Sequence, residues 1–576
     1  MSPNTKTLFL SLLLFLFVPV AGSEDKNQTA TTFTARTEMV LVPVVVTDKS
    51  GAHTAGITKD DFEILENGKA KPIASFEEIK STTSRPARVA NPRGVYSNAL
   101  SVDASPKRLT IFAIDLVNTP FMDQAYARQQ LMKYLASRVS SQEPIALVAI
   151  KRNGIKVLHD FTADPAVLVQ ALKRVTGEIP ALNGGSAGDA VAVAGDTTGN
   201  DLRDFVSENA EYVALAERQA ITVTLESFQH VAEAYAGVPG RKSLIWATAA
   251  FPFALDPVSG TIMLPHVFSQ GSTTIAGGGM DRTMSHSGEM APLPDDTQVR
   301  VADDLKSLEP LYQRTLQMLN DAGISVYPVD ARGLMVFFPG ANVSQIQGLG
   351  SVKEAIFEAT RDTMVGFADM TGGKAFYNRN DLDVAFQKAA DDSSTYYMLG
   401  YYLDKNAKPG WHKLQVKVRR GGTEVRARNG FFVTDAKKVD NRKIDISLAL
   451  VSPLDYTGVP LSVRWTSLQA AGAKKKIHFQ ITLPPNANIV DTTNNNFVSL
   501  EFVALVRTPS GDPADQFSQH VETNFKPDSL QSFQKDGLNY GNDVIVPPGE
   551  YSVRFVVRNN VDGRMGSVMA SLRVTP

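Results

Sequence analysis

"IFAIDLVNTP", residues 111–120, carries an apolar run into Asp115 and follows it with Asn118, Thr119 and Pro120. A short unbroken apolar run is the pattern of a strand buried on both faces, and the loop at its carboxyl end is where open α/β sheets gather binding groups. The loop chemistry allows two uses. Oxygens of Asp115 and Thr119 suit a hard cation such as magnesium. Alternatively, Asp115 and Asn118 cap the next helix or brace the loop, and loss of Asp115 then costs about 1 kcal/mol.

Outward from this stretch, strands and helices alternate. "DQAYARQQLMKYLASRV" sets Leu131, Leu135 and Val139 on one helical face, and "IALVAI" and "IKVLHDF" flank the hairpin signal Asn153-Gly154. A helix around 210–236, the strand "SLIWA", the helix "LKSLEPLYQRTLQMLNDAG", the strand "ISVYPVD", a helix near 352–370 and "GKAFYN" follow. Such alternation predicts a mainly parallel sheet with helices on both faces. Residues 177–206 and 256–300, rich in Gly, Ser, Thr and Asp, have no apolar period and read as surface insertions.

The flanks are all-β in pattern. "EMVLVPVVVTD" and "DFEILENGKAKPIASFEE" predict strands near 38–47, 62–66 and 73–78 in an N-terminal β module over 37–80, followed by a linker over 80–106. After the α/β region of 107–394, a β extension over 395–435 offers strands near 395–403, 412–419 and 424–433. Three strands alone are marginal. The two sets are therefore expected to pack together, making the α/β domain an insertion between halves of one sandwich, with Val42, Val44, Val46, Phe62, Ile64, Phe76, Leu399, Val416, Val418, Val425 and Phe431 inside. Over 440–576, "IDISLAL", "LSVRWTS", "KIHFQITL", "FVSLEFVALVR", "HVETNF", "EYSVRFVVRN" and "GSVMASLRV" predict a C-terminal β-sandwich.

Composition narrows the function classes. At 576 residues, with 43% hydrophobic and 20% charged, the chain is multidomain and globular. A net charge of -2 provides no electrostatic footprint for nucleic acid. Lys6, the run "LFLSLLLFLFVPV" and the small residues Ala21, Gly22 and Ser23 read as a signal peptide over 1–23, so export to the periplasm, the outer surface or the medium is expected, with no transmembrane segment after cleavage. The absence of Cys excludes disulfides, thiol nucleophiles and cysteine zinc sites. The eight His form no HExxH or close pair, "SHSGEM" around Ser287 lacks the strand-to-helix context of a nucleophile elbow, and no P-loop follows a strand. Asp330 and Arg332, in "VDARG", lie at a strand's carboxyl end and are candidates, with Asn118, for touching a partner. The bland alternative pairs Arg332 with an insertion Asp.

Several phrases in order, "KDDFEILENGK", "IDLVNTP", "GRKSLIWATAAFP", "VYPVDARGL", "YYMLGYY", "HKLQVKVRR" and "EVRARNGFF", resemble the von Willebrand factor A-related proteins of acidobacteria over roughly 37–435. The resemblance implies α/β plus all-β architecture: a von Willebrand A-like doubly wound, mainly parallel sheet with one antiparallel edge strand, flanked by β-sandwich modules. It also implies a metal-ion-dependent adhesion site of pattern Asp-x-Ser-x-Ser, completed by a Thr and an Asp from other loops. Here Asp115 and Thr119 fill the outer positions, Val117 replaces the middle Ser, and Ala249 stands where the distant Asp is expected; Thr222 and Thr224 lie in the preceding helical stretch. Asp189, Asp196 and Asp201 of the first insertion are further oxygen donors. The expectation is a degenerate site with no cofactor beyond weakly held magnesium. The matching function is a non-enzymatic binding, adhesion or scaffold role toward a protein or cell-surface ligand and not nucleic acid. The alternatives are a metal-dependent adhesin using Asp115 and Thr119, or a secreted hydrolase.

Overall fold

The computed structural model describes residues 39–80, 92–98, 108–138, 143–177, 199–251, 254–255, 262–263, 307–334, 347–404, 406–433 and 441–575. The expected signal peptide, Asp189, Asp196 and most of the 256–300 insertion lie outside them. The chain begins with β1 (Met39–Asp48), β2 (Phe62–Glu66), β3 (Lys69–Lys71) and β4 (Ser75–Lys80). The turn between β2 and β3 is Asn67-Gly68, both at positive φ, as a two-residue hairpin turn requires. β5 (Val95–Ser97) lies inside the expected linker.

The α/β region comprises β6 (Leu109–Asp115), α1 (Phe121–Ala136), β7 (Ile145–Lys151), β8 (Gly154–Thr162), α2 (Pro165–Lys173), α3 (Gly199–Tyr235), β9 (Lys242–Thr248), the short pair β10 (Ala254–Leu255) and β11 (Ile262–Met263), α4 (Glu309–Asp321), β12 (Ile324–Asp330), α5 (Gln347–Thr371) and α6 (Leu382–Asp391). Its sheet runs β12-β9-β6-β7-β8, parallel except for the β7-β8 edge hairpin. Every residue of β6, β9 and β12 is buried, because helices cover both faces. On one face Phe228, Leu316 and Phe367, from α3, α4 and α5, pack with Trp246; on the other Leu131, Leu168 and Phe386, from α1, α2 and α6, pack with Phe112. The chain leaves β6 toward β7 and returns to β9 on the other side, so β6 is where the strand order reverses. One expectation changes: α3 starts at Gly199, within the stretch 177–206 read as an insertion.

β13 (Thr395–Tyr402), β14 (Gly410–Val418), β15 (Thr423–Arg426) and β16 (Gly430–Val433) pair with the N-terminal strands. The sheets β15-β1-β13-β4 and β16-β14-β2-β3 each draw strands from before and after the α/β region. Val42, Val44, Val46, Phe62, Ile64, Leu399 and Phe431 are buried in their common core, with Phe76, Val416, Val418 and Val425 partly buried against it. The stretch 424–433 is not one strand, as read from sequence, but two. Residues 427–429 break it by docking on the end of α5, where Gly372 at φ +75° approaches the Arg428 nitrogen so closely that a Cβ would stand 2.9 Å from it.

The C-terminal region consists of α7 (Arg442–Val451), β17 (Ser462–Ala471), β18 (Lys474–Leu483), β19 (Phe497–Arg507), β20 (Pro513–Asn524), α8 (Pro527–Asp536), β21 (Leu538–Val546), β22 (Gly549–Asn559) and β23 (Met565–Val574). Sheets β21-β18-β17-β5 and β20-β19-β22-β23 enclose a core that includes Phe479, Phe502 and Phe555. Two expectations are corrected here. "IDISLAL" is helical, because Asp445 and Ala449, four residues apart, face inward and Asp445 pairs with Arg314 and Arg558. The linker of 80–106 contributes β5 as an edge strand, and polar β21 supplies the opposite edge.

Candidate functional site

Asp115, Thr248 and Asp330 end three adjacent parallel strands, so the register puts all three at one rim of the sheet. Asp115 is 1% exposed. Its Oδ1 accepts hydrogen bonds from the backbone N–H groups of Val117 (3.0 Å) and Asn118 (2.9 Å). Its Oδ2 accepts from Asn118 Nδ2 (2.7 Å), Trp246 Nε1 (3.0 Å) and Thr248 Oγ1 (2.8 Å). Burial pushes the carboxyl above the ordinary aspartate range, and the donors from Asn118, Thr248 and Trp246 pull the other way.

The loop is braced rather than aimed outward. Asn118 Nδ2 also donates to Thr224 Oγ1 in α3 at 2.9 Å, so a neutral amide lies between carboxylate and hydroxyl. The Thr119 hydroxyl accepts from the backbone N–H of Ala249 at 3.1 Å. Gln124 Nε2 donates to the carbonyls of Leu116 (3.2 Å) and Thr119 (2.8 Å). Helix α1 is preceded by Pro120 and has no side-chain cap, so of the two roles expected for Asp115 and Asn118, capping the helix or bracing the loop, their hydrogen bonds perform the second.

A carboxylate offers about four lone-pair sites, and five protein donors already converge on Asp115. Val117 is packed into the apolar core and Ala249 offers a methyl group, so neither supplies an oxygen ligand. This donor set does not fit a cation. Among the described residues there is no group of three or more His, Asp or Glu positioned to hold a metal.

Asp330 and Arg332 are engaged with each other. Arg332 Nε and Nη2 reach the two Asp330 oxygens at 2.9 and 2.8 Å, Nη2 also meets Thr360 Oγ1 at 3.0 Å, and the guanidinium lies 4.8 Å over the Phe357 ring. The acid paired with Arg332 is therefore two residues away, not in an insertion. Asp115, Asn118 and Thr119 are brought together; Arg332 turns toward α5.

No family model matches the chain, and no curated protein matches it. Among solved structures, proximal thread matrix protein 1 from the mussel byssus aligns at 10% identity over 50% of this chain and 48% of its own, with a TM-score of 0.21. This chain thus spans about half the length of the mussel protein. A conserved hypothetical protein, BatB, from Bacteroides thetaiotaomicron aligns at 10% identity over 49% of this chain and 98% of its own (TM-score 0.20). The SpRpn10 VWA domain aligns at 8% identity over 48% and 93% (TM-score 0.17).

Two residues of the site, Thr248 and Trp246, escaped the sequence reading of roles. Thr248 is one position before the Ala249 that the adhesion-site pattern singles out. Trp246 reads as a core aromatic, which it also is, packing edge-on against Phe228 with centroids 5.2 Å apart. Thr224, named from the sequence with Thr222 as lying in the helical stretch before the Ala249 strand, interrupts the apolar stripe Ile221, Leu225 and Phe228 and accepts from Asn118.

Proposed function

We propose that this protein is an exported, non-enzymatic binding or scaffold protein built on a von Willebrand A-like domain whose metal-ion-dependent adhesion site is degenerate. The observation that carries the reading is the Asp115 carboxylate, whose lone pairs are taken by donors of the chain itself. The strand order β12-β9-β6-β7-β8 with its antiparallel edge supports the domain type. Support for a protein-binding role comes from Phe121 and Met122, at the start of α1 beside the loop, which are 56% and 76% exposed. Apolar side chains of that size at a sheet rim suit a protein surface better than nucleic acid. Export is supported by the apolar run after Lys6. Among the described residues no helix is long and apolar enough to cross a membrane.

Titration calorimetry of magnesium into the purified chain tests this reading. No saturable heat is expected. A micromolar heat that disappears in Asp115→Ala would overturn it in favour of the metal-dependent adhesin.

A further inference from the structure

Strand β8 is the outer strand of the α/β sheet: it pairs with β7 on one side and, among the described residues, with no strand on the other. An antiparallel strand turns about half of its backbone groups to each side. Over Gly154–Val157 the register with β7 is regular, so a regular row of groups faces outward there. Two depressions follow this edge. One, of about 380 Å3, lies between β8 and α2 and includes Lys156, His159, Val167 and Arg174. The other, of about 370 Å3, shares Lys156 and Val157 and runs from Lys151 and Asn153 at the hairpin end past Ile155 to Pro453.

The chemistry of the two sides differs. Leu158 packs with the α2 face of the sheet, whereas Ile155 and Val157 pack with the α3 face. Alternation therefore puts Lys156 on the α2 side, with Arg174 just beyond the end of α2, and Ile155 and Val157 on the other. Among the described residues no carboxylate pairs with Lys156 or Arg174. Lysine on an edge strand ordinarily discourages pairing between copies. Here a second cation stands on the facing wall, and the groove between them is open.

We infer that this edge takes up an extended acidic segment of a partner protein as a sixth strand, by backbone pairing to β8. Acidic side chains of one parity meet Lys156 and Arg174, and apolar side chains of the other parity lie along Ile155, Val157 and Pro453. Main-chain pairing supplies affinity in such strand addition, and the alternating side chains supply selection. A second copy of this chain is disfavoured as occupant, since it would bring the same cations face to face. The surface is separate from the Asp115 loop and does not depend on its reading.

The test uses the full chain and a fluorescein-labelled peptide of alternating Glu and Val, about ten residues long, with polarisation read at about 0.15 M salt. Saturable binding is expected, with slowed amide exchange at 154–157. The same peptide N-methylated throughout, an alternating Lys and Val peptide and single-stranded oligothymidine are each expected to bind about tenfold more weakly or not at all. The double variant Lys156→Glu with Arg174→Glu should lose about tenfold in affinity while keeping the circular dichroism and melting curve of the parent. Absence of saturable binding, equal binding of the N-methylated peptide or the oligonucleotide, or unchanged affinity in the folded double variant would each overturn the proposal.

Discussion

The side-chain amide of Asn118 donates to the Thr224 hydroxyl at 2.9 Å while also holding the Asp115 carboxylate at 2.7 Å, tying the loop after β6 to the middle of α3. The carboxylate is a structural keystone of the rim, with bonds to β9 as well as to its own loop.

Replacing Asp115 by Ala therefore leaves the indole of Trp246, the hydroxyl of Thr248 and the amide of Asn118 without their acceptor in a buried site. A loss of about 3 kcal/mol is expected in denaturant unfolding, well above the cost of a lost cap. A loss near that of an exposed cap would show that the five bonds are energetically idle.

The contact between α3 and the C-terminal region makes stability depend on pH. Glu233 is half-buried, and desolvation, reinforced by Asp445 and opposed by Arg314 and Arg558, pushes its carboxyl up to about 8. His230, whose Nδ1 is 2.6 Å from Tyr456 Oη, is pushed down to about 4 by burial and by Arg554. Between about pH 4.5 and 6.5 the two oppose: folded Glu233 keeps a proton that the unfolded carboxyl has lost, which makes stability fall as pH rises, whereas unfolded His230 holds a proton that the folded ring lacks, which makes stability rise. Above pH 6.5 only Glu233 of this pair still titrates, and its own contribution should fall by about 2 kcal/mol by pH 8, against an opposite trend from Lys242, whose ammonium is pushed down to about 7 by burial. Unfolding curves for Glu233→Gln should lack that fall; a fall of the same size in the variant would remove Glu233 as its source.

Asp392 joins the α/β domain to the neighbouring sandwich. Its carboxylate, 9% exposed, meets Arg426 of β15 and also Tyr327 and Arg241, the last with Nη2 at 3.5 Å. Burial lowers the Arg426 affinity for its proton, but Asp392 more than offsets this, and the guanidinium is held above its ordinary value. Asp392→Asn should cost about 3 kcal/mol, since it strands buried guanidinium groups. Limited proteolysis should then cut near the 391–395 crossing earlier than in the parent; unchanged unfolding and digestion would count against the clasp.

Gly372→Ala tests the break between β15 and β16. At φ +75°, and with the Arg428 nitrogen 2.9 Å from where the added Cβ would stand, the substitution should cost about 2 kcal/mol. A thermal shift within error of the parent would mean that the 427–429 segment yields without cost.

By itself the sequence determined the elements whose apolar pattern has a single solution. The continuous runs of β6, β9 and β12 suit only strands covered on both faces, and the Asn153-Gly154 signal marks the β7-β8 hairpin, whose turn residues are Arg152 and Asn153. The Asp115 loop was also legible as a rim feature, because it follows such a run. Tertiary structure alone decided the rest, since the deciding partners are distant in the chain. "IDISLAL" satisfies either period over so few residues; the 131-residue link from Asp445 to Arg314 selects helix. The break at 427–429 depends on the end of α5, and the strand β5 on a neighbour in β17. The fate of the Asp115 lone pairs rests on Trp246 and Thr248, 131 and 133 residues further along. Local pattern reports which face of an element is apolar, but a polar group's partner is set by which strands the fold makes adjacent.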